Sequence, residues 1–374
     1  MADVEKIETL SPINIITTYD RPVKAAGLAG VAYLVKGTKI ALQSYHFLAE
    51  VEKDYDLGTE IYNAADNYFA NDESPLFQVI TSGPETAVTQ PASTGDGSGS
   101  STPAVTPTDA DNMIAALTKY YNAGAEYFVI KGSKDNIDVV KAVSNFVEAQ
   151  DNKVLIVDVP TDNAEPDLSF LSVLKGNKAT LVLSLPKYGA TDADYQLAST
   201  FLASYANSSV GTDPEFINQL GGVTPQDQYD FTKQALDAFY TPYHALTYAY
   251  RNGIPMFTSN KSQSGDQFSV MLIRDAITNE IVANITNLFV QNDRIPYNQI
   301  GIDLFKGQIK LVLDKYKNLG LIEPGYDINT INSDDISDNK KASGKLTGMG
   351  WKYQPVFSID DTKFAQSITL PQPV

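Results

Sequence analysis

The sequence predicts a mixed α/β (α+β) chain of more than one domain, with helices packed on mixed sheets and an extended arm at each end. Three observations predict it. Between residues 110 and 205, short apolar runs alternate with amphipathic stretches of helical period, the pattern of strands covered by helices. After Gly221-Gly222 that alternation stops and long helical repeats take over. The two chain ends carry only extended, strand-like apolar spacing.

In chain order, Ile7, Leu10, Ile13, Ile15 and Ile16 are interrupted by Pro12. Proline has no N–H to give a ladder, so this run suits an edge or an arm, and residues 1–20 are assigned to an N-terminal arm. An α/β domain follows over residues 21–220. Gly30–Lys36 reads as a buried strand and residues 38–44 as a second. Residues 50–56 and 59–70 read as helices around a turn at Gly58. In the second of these, Ile61, Ala64, Ala65, Tyr68 and Phe69 share one face. Pro75 ends that helix, because proline disfavours a helical residue before it, and residues 76–81 form a strand. Residues 83–109 are dominated by Ser, Thr, Gly and Pro and are expected to form a flexible surface insertion. Helices at 110–122, 135–149, 168–174 and 193–205 then alternate with strands at 126–131, 154–159 and 179–185.

Residues 223–330 form the helical part of a C-terminal core domain. Its helices are expected at 225–239, at 270–291, where Ile273, Ile277, Ile281, Ile285 and Leu288 recur every three or four positions, and at 302–319. Pro296-Tyr297 separates the last two. Residues 331–374 comprise an exposed polar loop at 332–345 and two strands, 354–359 and 364–370, forming a C-terminal arm.

Composition excludes several kinds of chemistry. The chain has no cysteine, which removes disulfides, thiolate nucleophiles and Cys-ligated zinc. A net charge of −17 argues against binding nucleic acid or anionic membranes, and makes copies of the chain repel one another. No apolar run approaches the roughly 20 residues of a membrane helix, so no membrane insertion is expected. The N-terminus has no basic region followed by an apolar one, so no signal peptide is read there and synthesis in the cytoplasm is expected.

Individual candidate residues have plainer readings. The turn Lys131-Gly132-Ser133-Lys134-Asp135 lacks both phosphate-loop patterns, and Ser133 suits a helix N-cap. Asp158 falls toward the end of a parallel strand, where open α/β sheets place ligands, and with Asp162 it could hold Mg²⁺; the alternative is a solvated loop with capping carboxylates. Asp334, Asp335 and Asp338 lack the spacing of a calcium loop. His46 and His244 are the only histidines, and neither has a motif that makes it a catalytic base. His244 lies among Tyr240, Tyr243, Tyr248 and Tyr250 and suits an aromatic cluster. No catalytic, cofactor-binding or metal-ligating residue is assigned, no cofactor is expected, and the chain is read as not an enzyme.

Three segments, in order, resemble the sheath proteins of contractile phage tails. The first is Glu50-Val51, Tyr55, Ile61-Tyr62-Asn63-Ala64-Ala65, Tyr68-Phe69, Pro75 and Val79-Ile80, similar to that family's helix–helix–strand unit. The second is residues 120–130, YYNAGAEYFVI, similar to its helix–Gly–strand step. The third is Arg274-Asp275-Ala276-Ile277 through the break at 294–302, RIPYNQIGI, with residues 309–313 and 319–322 after it. The insertion 83–109 has no counterpart, and the usual N-terminal opening of the family is missing.

The resemblance implies a structural subunit that self-assembles into a helical contractile sheath around a rigid tail tube. Contraction would drive the tube through the host envelope for genome delivery. Its partners would be neighbouring sheath subunits through the terminal arms, the tail tube protein, and baseplate and neck proteins at the ends. The location implied is the virion tail, assembled in the host bacterial cytoplasm. Two other readings stand beside it: an α/β enzyme or small-ligand binder with a site near Gly132 and Asp158, and a structural assembly protein that does not contract.

Overall fold

The computed structural model describes residues 30–70, 76–84, 107–150, 152–186, 196–206, 208–218, 220–227 and 231–359. The expected arms at 1–20 and 364–370 and most of the insertion lie outside them.

Among the described residues, seven strands build the main sheet: β1 (Gly30–Lys36), β2 (Ala41–Tyr45), β3 (Phe77–Ser82), β4 (Ala125–Lys131), β5 (Val154–Thr161), β6 (Thr180–Pro186) and β7 (Ala245–Leu246). Their order is β2-β3-β1-β4-β5-β6-β7. All neighbours run parallel except β2, which is antiparallel to β3 at one edge. From β1 the chain steps outward to β3, returns to place β4 on the other side of β1, and continues away. The sheet is therefore doubly wound and needs helices on both faces.

Those helices are α1 (Leu48–Val51), α2 (Glu60–Phe69), α3 (Asp109–Tyr120), α4 (Ile137–Gln150) and α5 (Gln196–Tyr205). Caps set where two of them start. Thr59 accepts from the Tyr62 N–H to begin α2. Thr108 and Asp111 form a reciprocal capping box at α3, and the two bonds from Thr108 hold the Asp111 carboxyl below its ordinary range. One sheet face, with Tyr33, Phe77, Val129, Ile156 and Leu183, packs on α2 and α5. The rings of Tyr33 and Phe77 stack there with centroids 4.9 Å apart. The other face, with Leu34, Ile80, Phe128 and Val157, packs on α3 and α4.

After α5, α6 (Lys233–Ala235) continues into a π-turn over Leu236–Tyr240. The helix expected over 225–239 is thus much shorter. Gln226 instead bridges Ala249 in parallel, and its fully buried amide donates to the Thr247 hydroxyl at 2.6 Å and the Tyr240 hydroxyl at 3.2 Å. A hairpin follows, β8 (Tyr248–Arg251) and β9 (Ile254–Phe257), turned by Asn252 at φ 53° and Gly253 at φ 80°. Residues 169–174, expected as a helix, form a 3₁₀ turn, and α1 is shorter than the 50–56 helix predicted.

Two long helices come next, α7 (Phe268–Gln291) and α8 (Gln299–Asn318). α8 starts three residues before its predicted position because Asn298 caps it through the Gly301 N–H. The apolar repeat of α7 lies where expected, with Ile273, Ile277, Ile281, Ile285 and Leu288 all buried. Its first three turns are buried all round, Arg274 and Asp275 included. Both helices contribute to the same apolar cluster as α2, α5 and the first sheet face.

The chain closes with β10 (Asp327–Asn329), α9 (Asp338–Ala342) and β11 (Gly350–Lys352). The strand expected at 354–359 is displaced. β11 precedes it and pairs antiparallel with β10. Beyond it only Pro355 forms a bridge, to Ile322, because proline interrupts any longer ladder.

Candidate assembly surfaces

The strand-end residues considered for ligand binding do not converge. Gly132 is needed for packing: a Cβ there would lie 2.6 Å from Val157 Cγ1 and 2.9 Å from Val159 Cγ2. Its N–H donates to the Asp158 carbonyl at 2.7 Å. In the following turn, Asn136 Oδ1 accepts from both the backbone N–H and the hydroxyl of Ser133, and Asn136 Nδ2 donates to the Lys131 carbonyl. The two lysines of the turn reach outward, Lys134 Nζ donating to Asp167 at 2.6 Å and Lys131 Nζ to Glu60 at 3.3 Å. Asp158 lies within β5, is buried, and accepts from the Ala198 N–H at 3.3 Å in the first turn of α5. It serves a free helix N–H and the positive end of the helix dipole. Asp162 is exposed on the loop beyond, outside that contact. Among the described residues, no group of three or more His, Asp or Glu is placed to hold a metal ion.

Asp158→Ala is therefore expected to destabilise the fold by about 1–3 kcal/mol, the cost of leaving a buried donor unmet. Urea denaturation would measure the loss, and calorimetry against nucleotides and divalent metals should give no heat in either protein. Binding that vanishes with the substitution would restore the ligand-site reading.

The histidines are separated. His46 is exposed beside Phe47, and its backbone N–H donates to Glu50. His244 has φ 46° and ends a 3₁₀ turn, with Nδ1 3.3 Å from the Gln263 carbonyl. Its ring packs by Gly265, where a Cβ would come within 3.1 Å of it. The expected tyrosine cluster is divided between the two cores. Tyr240 meets Phe231 in one and Tyr248 meets Phe257 in the other, while Tyr250 is partly exposed.

What the described residues do present is a short separate sheet and a row of exposed apolar side chains. β10 and β11 form a two-stranded sheet that no other strand joins among the described residues. Bonds from Val356 N–H to Leu321 O and from Glu323 N–H to Gln354 O extend this ribbon at one end. A two-stranded ribbon presents unpaired backbone groups along both outer edges, a template for added strands. Nearby, Asp314 accepts from Lys310, from Lys317 at 2.7 Å and from the Tyr326 hydroxyl at 2.7 Å. These bonds, that from Lys310 foremost, hold its carboxyl well below the ordinary range. They tie α8 to the loop that leads into β10.

The segment after β11 lies against the start of α7. Burial raises the Tyr353 hydroxyl pKa, with Arg274 opposing the rise and Asp275 adding to it. Beyond it, both backbone groups of Ser358 bond to the side-chain amide of Gln267. On the outward face of α8, Ile300, Leu304 and Leu311 are exposed in one row. A row of this kind is more apolar surface than isolated exposed residues would make.

Sequence reasoning missed two of these features. The β8–β9 hairpin had a signal, since Asn-Gly between short apolar runs favours a tight turn. The Gln267–Ser358 pair had none, because its partners are 91 positions apart.

The fold has solved counterparts over nearly its whole length. A chain of the anti-feeding prophage baseplate superposes with a TM-score of 0.63 at 13% identity, covering 96% of this chain and 100% of that one. A chain of the sheath complex of an extracellular contractile injection system, in its contracted state, gives 0.64 at 11% identity, covering 97% and 98%. A sheath tail protein from Listeria innocua gives 0.54 at 13% identity, covering 90% and 94%. The fold is thus that of the sheath proteins of contractile tails and injection systems. The sequence matches no family model and no curated protein.

Proposed function

We propose that this chain is a structural sheath subunit of a contractile tail, which self-assembles head-to-tail into a helical sheath around a tail tube and contracts to drive that tube through the host envelope for genome delivery. One observation carries the reading: the superposition on a chain of an injection-system sheath complex covers 97% of this chain and 98% of that one. The ribbon of β10 and β11 supports it. Terminal arms of neighbouring copies would add strands to its outer edges, and a head-to-tail contact that does not close on itself generates a helix. The division into arm, α/β domain, helical core and C-terminal arm is part of this proposal. So are the tube, baseplate and neck partners, and a location in the virion tail. Contraction would be a switch between two packings of rigid subunits, driven by interface burial rather than by a nucleotide.

Electron microscopy of the purified full-length protein tests this. Tubes of two diameters, with the narrower converting irreversibly to the wider, are the expected result. Tubes of one geometry under every condition would make the chain a passive assembly protein. Only globular particles at all concentrations would overturn the sheath reading altogether.

A further inference from the structure

We propose that Gln267 is a positioning residue for assembly, fixing the point at which the C-terminal arm leaves the subunit; the inference rests on the sheath reading above. Gln267 Nε2 donates to the Ser358 carbonyl at 2.9 Å, and Gln267 Oε1 accepts from the Ser358 N–H at 2.9 Å. A single side-chain amide thus satisfies both backbone groups of one residue, as a neighbouring strand would.

The amide is presented from a fixed base. The Gln267 backbone bridges Lys261, and the next N–H, of Phe268, donates to the Asn260 carbonyl at 2.7 Å. Gln267 also occupies the N-cap position of α7 yet makes no cap bond to it. Glutamine is not among the residues favoured there, and its amide is committed to Ser358 instead. Upstream of Ser358 the chain is held by the Val356–Leu321 bond and by Tyr353, which is partly buried against the first core. On either side of Ser358, Phe357 and Ile359 are exposed. The clamp therefore secures the chain where the ribbon's own ladder has ended.

The consequence for assembly is an effective concentration. A strand tethered at a fixed point and angle meets a neighbour's sheet edge more often than one swinging from a loose base, and loses less freedom on docking. Releasing the clamp should weaken every joint the arm makes without loosening the core.

The test compares full-length wild type with Gln267→Ala and with Ser358→Pro, which removes the N–H from the other side of the clamp. Amide exchange over residues 357–359 is read on the unassembled subunit, and the threshold concentration for assembly is read by sedimentation. Gln267→Ala should speed exchange about tenfold, as expected for one lost local bond pair, and raise the threshold about tenfold. The melting temperature of the unassembled subunit should stay at the wild-type value, a split that a purely structural role would not produce. Ser358→Pro should raise the threshold in the same way. Faster exchange with an unchanged threshold would overturn the positioning role and leave the sheath reading intact. Unchanged exchange would overturn the clamp itself. A wild type that never assembles would overturn the sheath reading, and this proposal with it.

Discussion

Gly301→Ala is expected to lower stability by about 3 kcal/mol, read as a shift of the urea midpoint at constant slope. A Cβ on Gly301 would lie 1.9 Å from the Pro296 carbonyl oxygen and 3.3 Å from Ile295 Cγ2. Even a close C···O contact is about 3.3 Å, so the loop would have to open. It has little room to do so. Pro296 fixes its own φ, Asn298 accepts the Gly301 N–H at 3.2 Å, and the Tyr297 hydroxyl donates to the Lys345 carbonyl at 2.8 Å. Alanine gains about 1 kcal/mol over glycine inside a helix, which is too little to offset the collision. Gly307→Ala, also in α8, is the control. Its Cβ would meet nothing within 4 Å, so it should be neutral or stabilise by up to about 1 kcal/mol. Equal effects at the two positions would refute the steric account. The stretch that resembles a family signature is, in physical terms, a loop that closes back on its own helix and admits no side chain at that point.

Removal of residues 1–16 or 364–374 is expected to abolish assembly at ordinary concentrations while leaving the subunit folded. Among the described residues, the buried apolar residues of both cores fall between Val31 and Ile322, within a stretch that both deletions leave in place. A donated strand supplies roughly three backbone hydrogen bonds at about 1 kcal/mol each and one or two apolar anchors at about 1.5–3 kcal/mol each. Part of that gain is offset by the entropy of ordering the strand. A net loss of about 4 kcal/mol raises the assembly threshold by roughly three orders of magnitude. Sedimentation would show monomers with an unchanged circular dichroism spectrum and melting temperature. Truncated chains that assemble at the wild-type threshold would show that the arms join nothing.

The order of the sheet and its covering helices was legible because local signals carried it. Tyr33, Phe128 and Val157 sit in unbroken apolar runs, and Thr59 and Thr108 stand where caps belong. What was not legible depends on partners distant in sequence. Residues 225–227 look helical, but Gln226 finds a strand and two buried hydroxyls across the core, and a tertiary bond outweighs a weak propensity. The burial of Arg274 and Asp275 also depends on a distant partner, since the half of α7 that holds them is flanked by the segment near Tyr353. Asp158 stood between a ligand position and a capping carboxylate, because strand position was visible and side-chain direction was not. Its oxygen turns to α5. The ribbon was not legible: its strands, 327–329 and 350–352, pair across an intervening loop, and of the expected strand 354–359 only Pro355 forms a bridge.

Among the described residues, one continuous apolar cluster joins the first sheet face to α7 and α8. Close-packed interiors have low compressibility and pass strain on instead of absorbing it. A push delivered at the helical hairpin therefore reaches the sheet with little lost as heat in between. In the proposed sheath each subunit would then act as a stiff lever, and the elasticity of the array would reside in the connections between subunits.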